Sequence, residues 1–208
     1  MSARAAATQA MIGPNAVLQL LPLLEREGGA ALRDRMLAAA GLKAAPPETG
    51  MMHEAPAALI HQALRRDLPE TAARLAAEAG RATGEYILAH RIPARAQSLL
   101  RHLPAPLASW LLTRAIGQHA WTFAGSGRFE ICPGRPLRLR IKDNPVVRGE
   151  RAAAPVCHWH AAVFERLYRE LVDPALRVRE IRCCATGAEA CEFLVERPDA
   201  PAGRSRPG

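Results

Sequence analysis

Aromatic side chains are scarce. Three Trp, two Tyr and four Phe in 208 residues are too few to fill the facing layers of a β-sandwich, and the apolar half of the composition, carried mostly by Ala and Leu, points to helices. Lysine is nearly absent: Lys43 and Lys142 stand alone, so the formal charge of +8 is arginine. These arginines are dispersed, and no zinc finger, recognition-helix motif or aromatic-basic strand accompanies them, which argues against a nucleic-acid partner. Scattered guanidinium groups suit carboxylate-bearing ligands; a GC-rich coding bias is the plainer explanation. No run reaches the roughly eighteen apolar residues of a membrane span. The start, "MSARAAATQAMIGPNAVLQLLPLLEREGG", lacks the order of a signal peptide, because its apolar run begins late and is broken by Pro14, Gln19 and Pro22. The chain reads as cytoplasmic, with at most peripheral membrane contact.

Motifs for redox cofactors are missing too. There is no G-x-G-x-x-G after a strand, no P-loop and no C-x-x-C. Gly125-Ser126-Gly127 reads as a bulge or turn rather than a phosphate cradle. The sequence therefore offers no legible site for a hydride donor, and no catalytic residue is assigned.

What is present falls into two halves. Pro/Gly-rich breaks at 41–50 and from Arg197 onward punctuate the chain, giving an N-terminal helical segment over 1–50, a main domain over 51–197 and a disordered tail over 198–208. Helices are expected over 14–27, 29–40, 53–66 and 69–90, then over 93–121 in pieces broken at Pro93, Pro104 and Pro106. Within 69–90, Leu75, Ala79, Ala82, Tyr86 and Ala89 share a face, with Arg74, Glu78, Arg81 and Glu85 outside. After that the period changes: "WTFAGSGRFEI" and "PLRLRIK" alternate, the second as Leu137, Leu139 and Ile141 against Arg138, Arg140 and Lys142. A helix with Trp159, Val163, Leu167 and Leu171 in line follows, and then two strands, "LRVREIRCC" and "CEFLVER", around a turn at Thr186-Gly187. Helices, two strands, a helix and two more strands make an α+β domain with an antiparallel sheet.

Three of the five cysteines crowd into residues 183–191. An odd count and no secretory signal argue against disulfides. Glu180-x2-Cys183-x7-Cys191, with Cys157 at the head of the last helix, would give three thiolates and a carboxylate, a closed four-coordinate set suited to structural zinc. On a flat strand Glu180 and Cys183 point to opposite faces, so this set requires a bulge or a strand end between them. Cys184 competes with Cys183, His158 and His160 are substitute ligands, and inert reduced thiols are the rival reading.

This spacing resembles the metal-binding pattern of the V4R (4-vinyl reductase) domain family over roughly 85–196. The resemblance implies a fold of helices against an antiparallel sheet, similar to the Bet3 and haem-NO-binding domains, with zinc held by the four residues at Cys157, Glu180, Cys183 and Cys191. "MIGPNAVLQLLPLLE", "HRIPARAQSLLRHLPAPLA", "AIGQHAWTFAGSGRF" and "NPVVRG" are similar to the members of that family that serve bacteriochlorophyll synthesis. The implied ligand is a porphyrin or chlorophyllide intermediate, and the implied partners are magnesium chelatase or other pathway enzymes and a second copy in a homodimer. Three functions are open: a carrier that binds and presents a tetrapyrrole, a reductase of the 8-vinyl (4-vinyl) group of divinyl (proto)chlorophyllide, and a small-molecule sensor or interaction module.

A tetrapyrrole asks for a wide apolar slot, cations for its carboxylates and an axial ligand for magnesium. The Ala- and Leu-rich helices over 69–121 are the candidate slot, with close helix packing as the plainer account of their small residues. His90, Trp110, His119 and Trp121 are the candidate ring contacts, and Arg91, Arg95 and Arg101 the candidate carboxylate partners.

Overall fold

Proline and glycine set the helix ends in the first half of the chain. A computed structural model describes residues 10–198; the tail expected to be disordered lies, from residue 199 on, outside the described residues. The helices are α1 (Asn15–Leu18), α2 (Leu21–Ala39), α3 (Ala55–Asp67), α4 (Ala72–His90), α5 (Ala94–His102), α6 (Ala105–Gln118) and the single turn α7 (Trp121–Ala124). A kink at Gly28-Gly29 divides α2, with Gly29 at φ 74°, where the sequence breaks its helix. Pro93 and Pro104 stand as extended N-caps of α5 and α6. Pro106 breaks nothing, because it falls in the first turn of α6, where a missing N–H costs no hydrogen bond.

Strands β1 (Met11–Ile12) and β2 (Met52–His53) pair as a short antiparallel ribbon. The main sheet contains β3 (Arg128–Cys132), β4 (Leu137–Lys142), β5 (Arg177–Arg182) and β6 (Ala190–Glu196) in the order β3-β4-β6-β5, antiparallel throughout. Helix α8 (His158–Leu171) precedes β5. This is the α+β architecture that the sequence implies. One strand is shorter than its alternation suggests: Trp121–Ala124 is helical, and Gly125 at φ 55° ends it. The Thr122 carbonyl there accepts the Gly13 N–H at 2.7 Å, which fixes the turn against the N-terminal segment.

One buried core runs from Ile12 and Leu24 near the front of the chain to Phe193 and Val195 in β6. Leu139 and Ile141 of β4 enter it, and Arg138 and Arg140, which alternate with them, stand on the other face, exposed and half-buried, as the alternation requires. The few aromatics are concentrated here. Phe123, Phe129, Phe164 and Phe193, which are all the phenylalanines, meet edge to face with centroids 5.3 to 5.5 Å apart, a geometry that adds to the burial of each ring.

Helix α8 lies along α4, and glycine permits the close approach. A Cβ on Gly80 would sit 2.8 Å from the Ala162 Cβ and collide with the Trp159 carbonyl, and one on Gly84 would sit 2.7 Å from the Arg166 Cβ. The buried line of α4 is therefore Leu75, Ala76, Ala79, Gly80, Thr83, Gly84 and Leu88. Ala82 and Tyr86 are at its edge and Ala89 is exposed, because the glycines turn the helix towards α8. On this face the small residues serve helix contact and leave no slot.

His61 on α3 is 1 % exposed. Its Nε2–H donates to the Ala16 carbonyl at 3.1 Å, while Nδ1 has no partner. Burial lowers its pKa to about 3, so below pH 6.5 the unfolded chain takes up a proton that the folded one refuses. Stability then falls as pH drops from about 6.5 towards 3, by about 1.4 kcal/mol per pH unit from this residue. Urea titrations across that range should show a shallower slope, by about one proton, in His61→Gln; an equal slope in both proteins would remove His61 from the account.

Candidate metal centre

The chain reaches the base of the last hairpin from three directions. Cys157 is the N-cap of α8, Cys183 follows β5, and Cys191 is the second residue of β6. The loop leading to Cys157 is held from both sides. Glu150 accepts a bidentate pair from Arg65 of α3, the Gln62 amide donates to the Arg148 carbonyl at 2.8 Å, and the Ala152 N–H donates to the Ala185 carbonyl at 2.9 Å. The β5–β6 register shifts between Glu180 and Arg182. That bulge is the irregularity the ligand set demands, and it lets Glu180 and Cys183 address one point.

The result is a tight cluster. The Sγ atoms of Cys157 and Cys183 are 3.9 Å apart, those of Cys157 and Cys191 3.4 Å, and those of Cys191 and Cys183 3.8 Å. With a Glu180 carboxylate oxygen, all four donor atoms lie within 4.8 Å of one another. The three cysteines are at most 1 % exposed. Glu180 Oε2 accepts the Cys157 N–H at 2.7 Å, and Oε1 is buried without a partner. Burial, with the Cys183 sulfur adding to it, pushes the Glu180 carboxyl up to about 8, and burial raises the Cys157 thiol. Cys183, approached by the thiols of Cys157 and Cys191, is held below the ordinary thiol range. Four acidic groups forced together out of water repel as they ionise; a shared divalent cation is the partner that satisfies all of them at once. The cluster is thus able to hold a metal ion.

The competing ligands point elsewhere. Cys184 Sγ faces the Ile141 and Glu189 carbonyls at 3.8 and 4.0 Å, while its N–H donates to Cys191 Sγ at 3.3 Å. His160 is buried, with Nε2–H donating to the Phe123 carbonyl at 3.3 Å, and burial lowers its pKa to about 4. His158 lies outside the cluster. One participant was not singled out from the sequence: Asn144, fully buried, donates from Nδ2 to Cys157 Sγ at 3.3 Å and accepts the Val146 N–H on Oδ1 at 3.1 Å. A donor of this kind orients a sulfur ligand. The Asn-Pro step after a strand was its only signal.

Gly125-Ser126-Gly127 has an occupant of its own. Glu54, 3 % exposed, accepts the Ser126 N–H at 2.8 Å and its hydroxyl at 2.7 Å, and pairs with Arg148. Burial opposes this carboxylate, but the Ser126 and Arg148 donors hold it below its ordinary range. The glycine loop binds a side chain of its own protein.

The candidate ring contacts are at the surface. His90, Arg91, Arg95, Trp110, His119 and Trp121 are all exposed, Trp110 and Trp121 by 58 % and 56 %. His90 and Arg91 both approach Tyr86, with His90 4.8 Å away between ring centroids and the Arg91 guanidinium 5.7 Å from the Tyr86 ring. Arg101 is paired with Glu170 at 2.6 Å.

The V4R domain pattern matches residues 137–197, the span of this α+β domain in which the last strands and last helix meet at the Cys3Glu cluster. The chain is 56 % identical over 182 residues to the bacteriochlorophyll synthase 23 kDa chain of Cereibacter sphaeroides, covering 88 % of each protein. It is 49 % identical over 184 residues to the protein of that name from Rhodobacter capsulatus, covering 88 % of this chain and 86 % of that one. The chain belongs to the family of bacteriochlorophyll synthase 23 kDa chains. In fold it is similar to the H-NOX protein of K. algicida, with a TM-score of 0.58 at 10 % identity over 91 % of this chain and 98 % of that one.

Proposed function

We propose that the protein acts in bacteriochlorophyll biosynthesis as a tetrapyrrole carrier, binding a porphyrin or (proto)chlorophyllide intermediate and presenting it to the pathway's enzymes, magnesium chelatase among them. Its kinship with bacteriochlorophyll synthase chains supports the pathway. The residue that carries the binding site is His119. Its Nδ1–H donates to the Ala115 carbonyl at 2.9 Å, which leaves the exposed Nε2 lone pair of the neutral ring free to ligate magnesium. Trp110 on α6 and Trp121 on α7 offer flat apolar contact, and Arg91 and Arg95 offer guanidinium groups for the carboxylates.

Zinc is the metal that fits the cluster. Four ligands at about 2.3 Å in a tetrahedron put their sulfurs about 3.8 Å apart, against the 3.4 to 3.9 Å found here, and the unpartnered Glu180 oxygen supplies the fourth donor. Cys157, Glu180, Cys183 and Cys191 leave no open position, so a bound zinc would staple α8 to the β5–β6 hairpin and do no chemistry on a substrate.

A titration of the metal-analysed protein with protoporphyrin, its magnesium complex and divinyl protochlorophyllide, followed by absorbance and fluorescence, tests the carrier. The expected result is saturable binding, about tenfold weaker for the magnesium complex in His119→Ala, and no loss of the vinyl group when NADPH is added. Spectral conversion on adding NADPH would replace the carrier with the 8-vinyl reductase. The absence of saturable binding to all three pigments would leave an interaction module. That Gly125-Ser126-Gly127 is filled by Glu54 favours the carrier over the reductase.

A further inference from the structure

No helix among the described residues is long and apolar enough to cross a membrane, yet four of the six exposed large apolar side chains, Leu99, Leu107, Trp110 and Trp121, fall on the consecutive helices α5, α6 and α7. We propose that the face formed by α5, α6 and α7 docks onto the surface of an anionic lipid bilayer. Helix α5 has no buried residue; Leu99 on it is 58 % exposed, and Leu107 on α6 44 %. Helical spacing puts Leu107, Trp110, Arg114 and Gln118 on one face of α6, all exposed, while Ala108, Leu112 and Ile116 face the core. Isolated exposed leucines are ordinary, but apolar side chains with two exposed tryptophans on neighbouring helices are a surface with a use. Tryptophan favours the boundary between headgroups and acyl chains, where its ring is apolar and its N–H is wet.

Charge selects the occupant. Between Glu85 and Glu130 there is no acidic residue, and Arg91, Arg95, Arg101, Arg114 and Arg128 lie in that interval. Arg101 and Arg128 have carboxylate partners; among the described residues Arg91, Arg95 and Arg114 have none. A second copy presenting this face would set arginine against arginine, which disfavours a symmetric dimer through it. Exposed leucines gain nothing from a nucleic-acid backbone. An anionic bilayer meets both features, the arginines at its headgroups and the leucines and tryptophans below them.

The test uses the pigment-free full chain and vesicles of phosphatidylcholine with an equal share of phosphatidylglycerol, against vesicles of phosphatidylcholine alone. Cosedimentation should show binding to the anionic vesicles that weakens at high salt, with a blue shift of emission from Trp110 and Trp121; Trp159, 3 % exposed, stays unchanged as an internal reference. Leu99→Glu/Leu107→Glu and Arg114→Glu each replace only exposed side chains and spare every residue proposed for pigment. With melting temperatures unchanged, each should weaken binding about tenfold or more. Equal binding by wild type and both variants, no binding to anionic vesicles at low salt, or a dimer that both variants dissolve would overturn the proposal. Because pigment is titrated without vesicles and vesicles without pigment, failure of one proposal leaves the other standing.

Discussion

Replacing Cys183 with serine will strip the proposed zinc from the protein and lower its melting temperature by about 10 °C. Cys183 is one of three sulfurs within 3.9 Å of one another, and a hydroxyl does not replace a thiolate as a zinc ligand. What remains is a buried carboxyl and two thiols with no common partner, which costs about 4 kcal/mol, in line with loss of a structural metal. For a chain of this length each kcal/mol moves the midpoint by about 2–4 °C. Chelation of the wild-type metal should produce the same shift. Cys184→Ser is the control: its sulfur faces backbone carbonyls, so that variant should keep its metal. One bound metal per chain in Cys183→Ser, by elemental analysis, would remove Cys183 from the ligand set, and loss of metal in Cys184→Ser would put Cys184 in its place.

Gly80→Val will destabilise the protein by about 3 kcal/mol or more and loosen the metal centre, although residue 80 touches no ligand. The new side chain has to displace the Trp159 carbonyl, which is helix backbone and does not yield as a flexible side-chain tip would. Pushing α8 away from α4 moves the helix start that carries Cys157. The measurement is a pair, midpoint in urea and rate of zinc loss to a chromogenic chelator, and both should worsen together. A lowered midpoint with an unaltered zinc off-rate would show that α8 and the centre move independently. Gly80→Ala should show the same signs at lower amplitude, since even a single methyl lies 2.8 Å from the Ala162 Cβ.

Much of this architecture is legible in the sequence, for local reasons. Gly28-Gly29, Pro93 and Pro104 act on the backbone of their own segment, so helix ends can be read where they stand. The alternation Leu137, Leu139, Ile141 fixes which face of β4 is buried. The need for a bulge between Glu180 and Cys183 follows from requiring two donors on one side of a strand, and the register shift supplies it. Features that depend on distant partners are not legible. The β1–β2 ribbon joins residues about forty positions apart through two residues on each side, too short for any period to appear. Trp121–Ala124 alternates like a strand but is helical because the Gly13 N–H binds its Thr122 carbonyl from the far end of the chain. The ring of α4 that looks buried is rotated from the true one because glycine, usually a helix liability, is here the means of contact. Asn144 was hidden because an asparagine before proline reads as a turn residue; only the fold brings it to a sulfur.

Helix α5 has no fully buried residue; Leu100 packs against the edge of the core and Gln97 donates to the Leu88 and Ile92 carbonyls, but the rest of its sequence answers to little beyond keeping a helix between Pro93 and Pro104. Substitutions there escape the purifying pressure that stability imposes on α4 or α8, so lineages can alter Arg95 or Leu99 without weakening the fold. Whatever pattern homologues keep along this helix is therefore a direct record of what its outer surface meets.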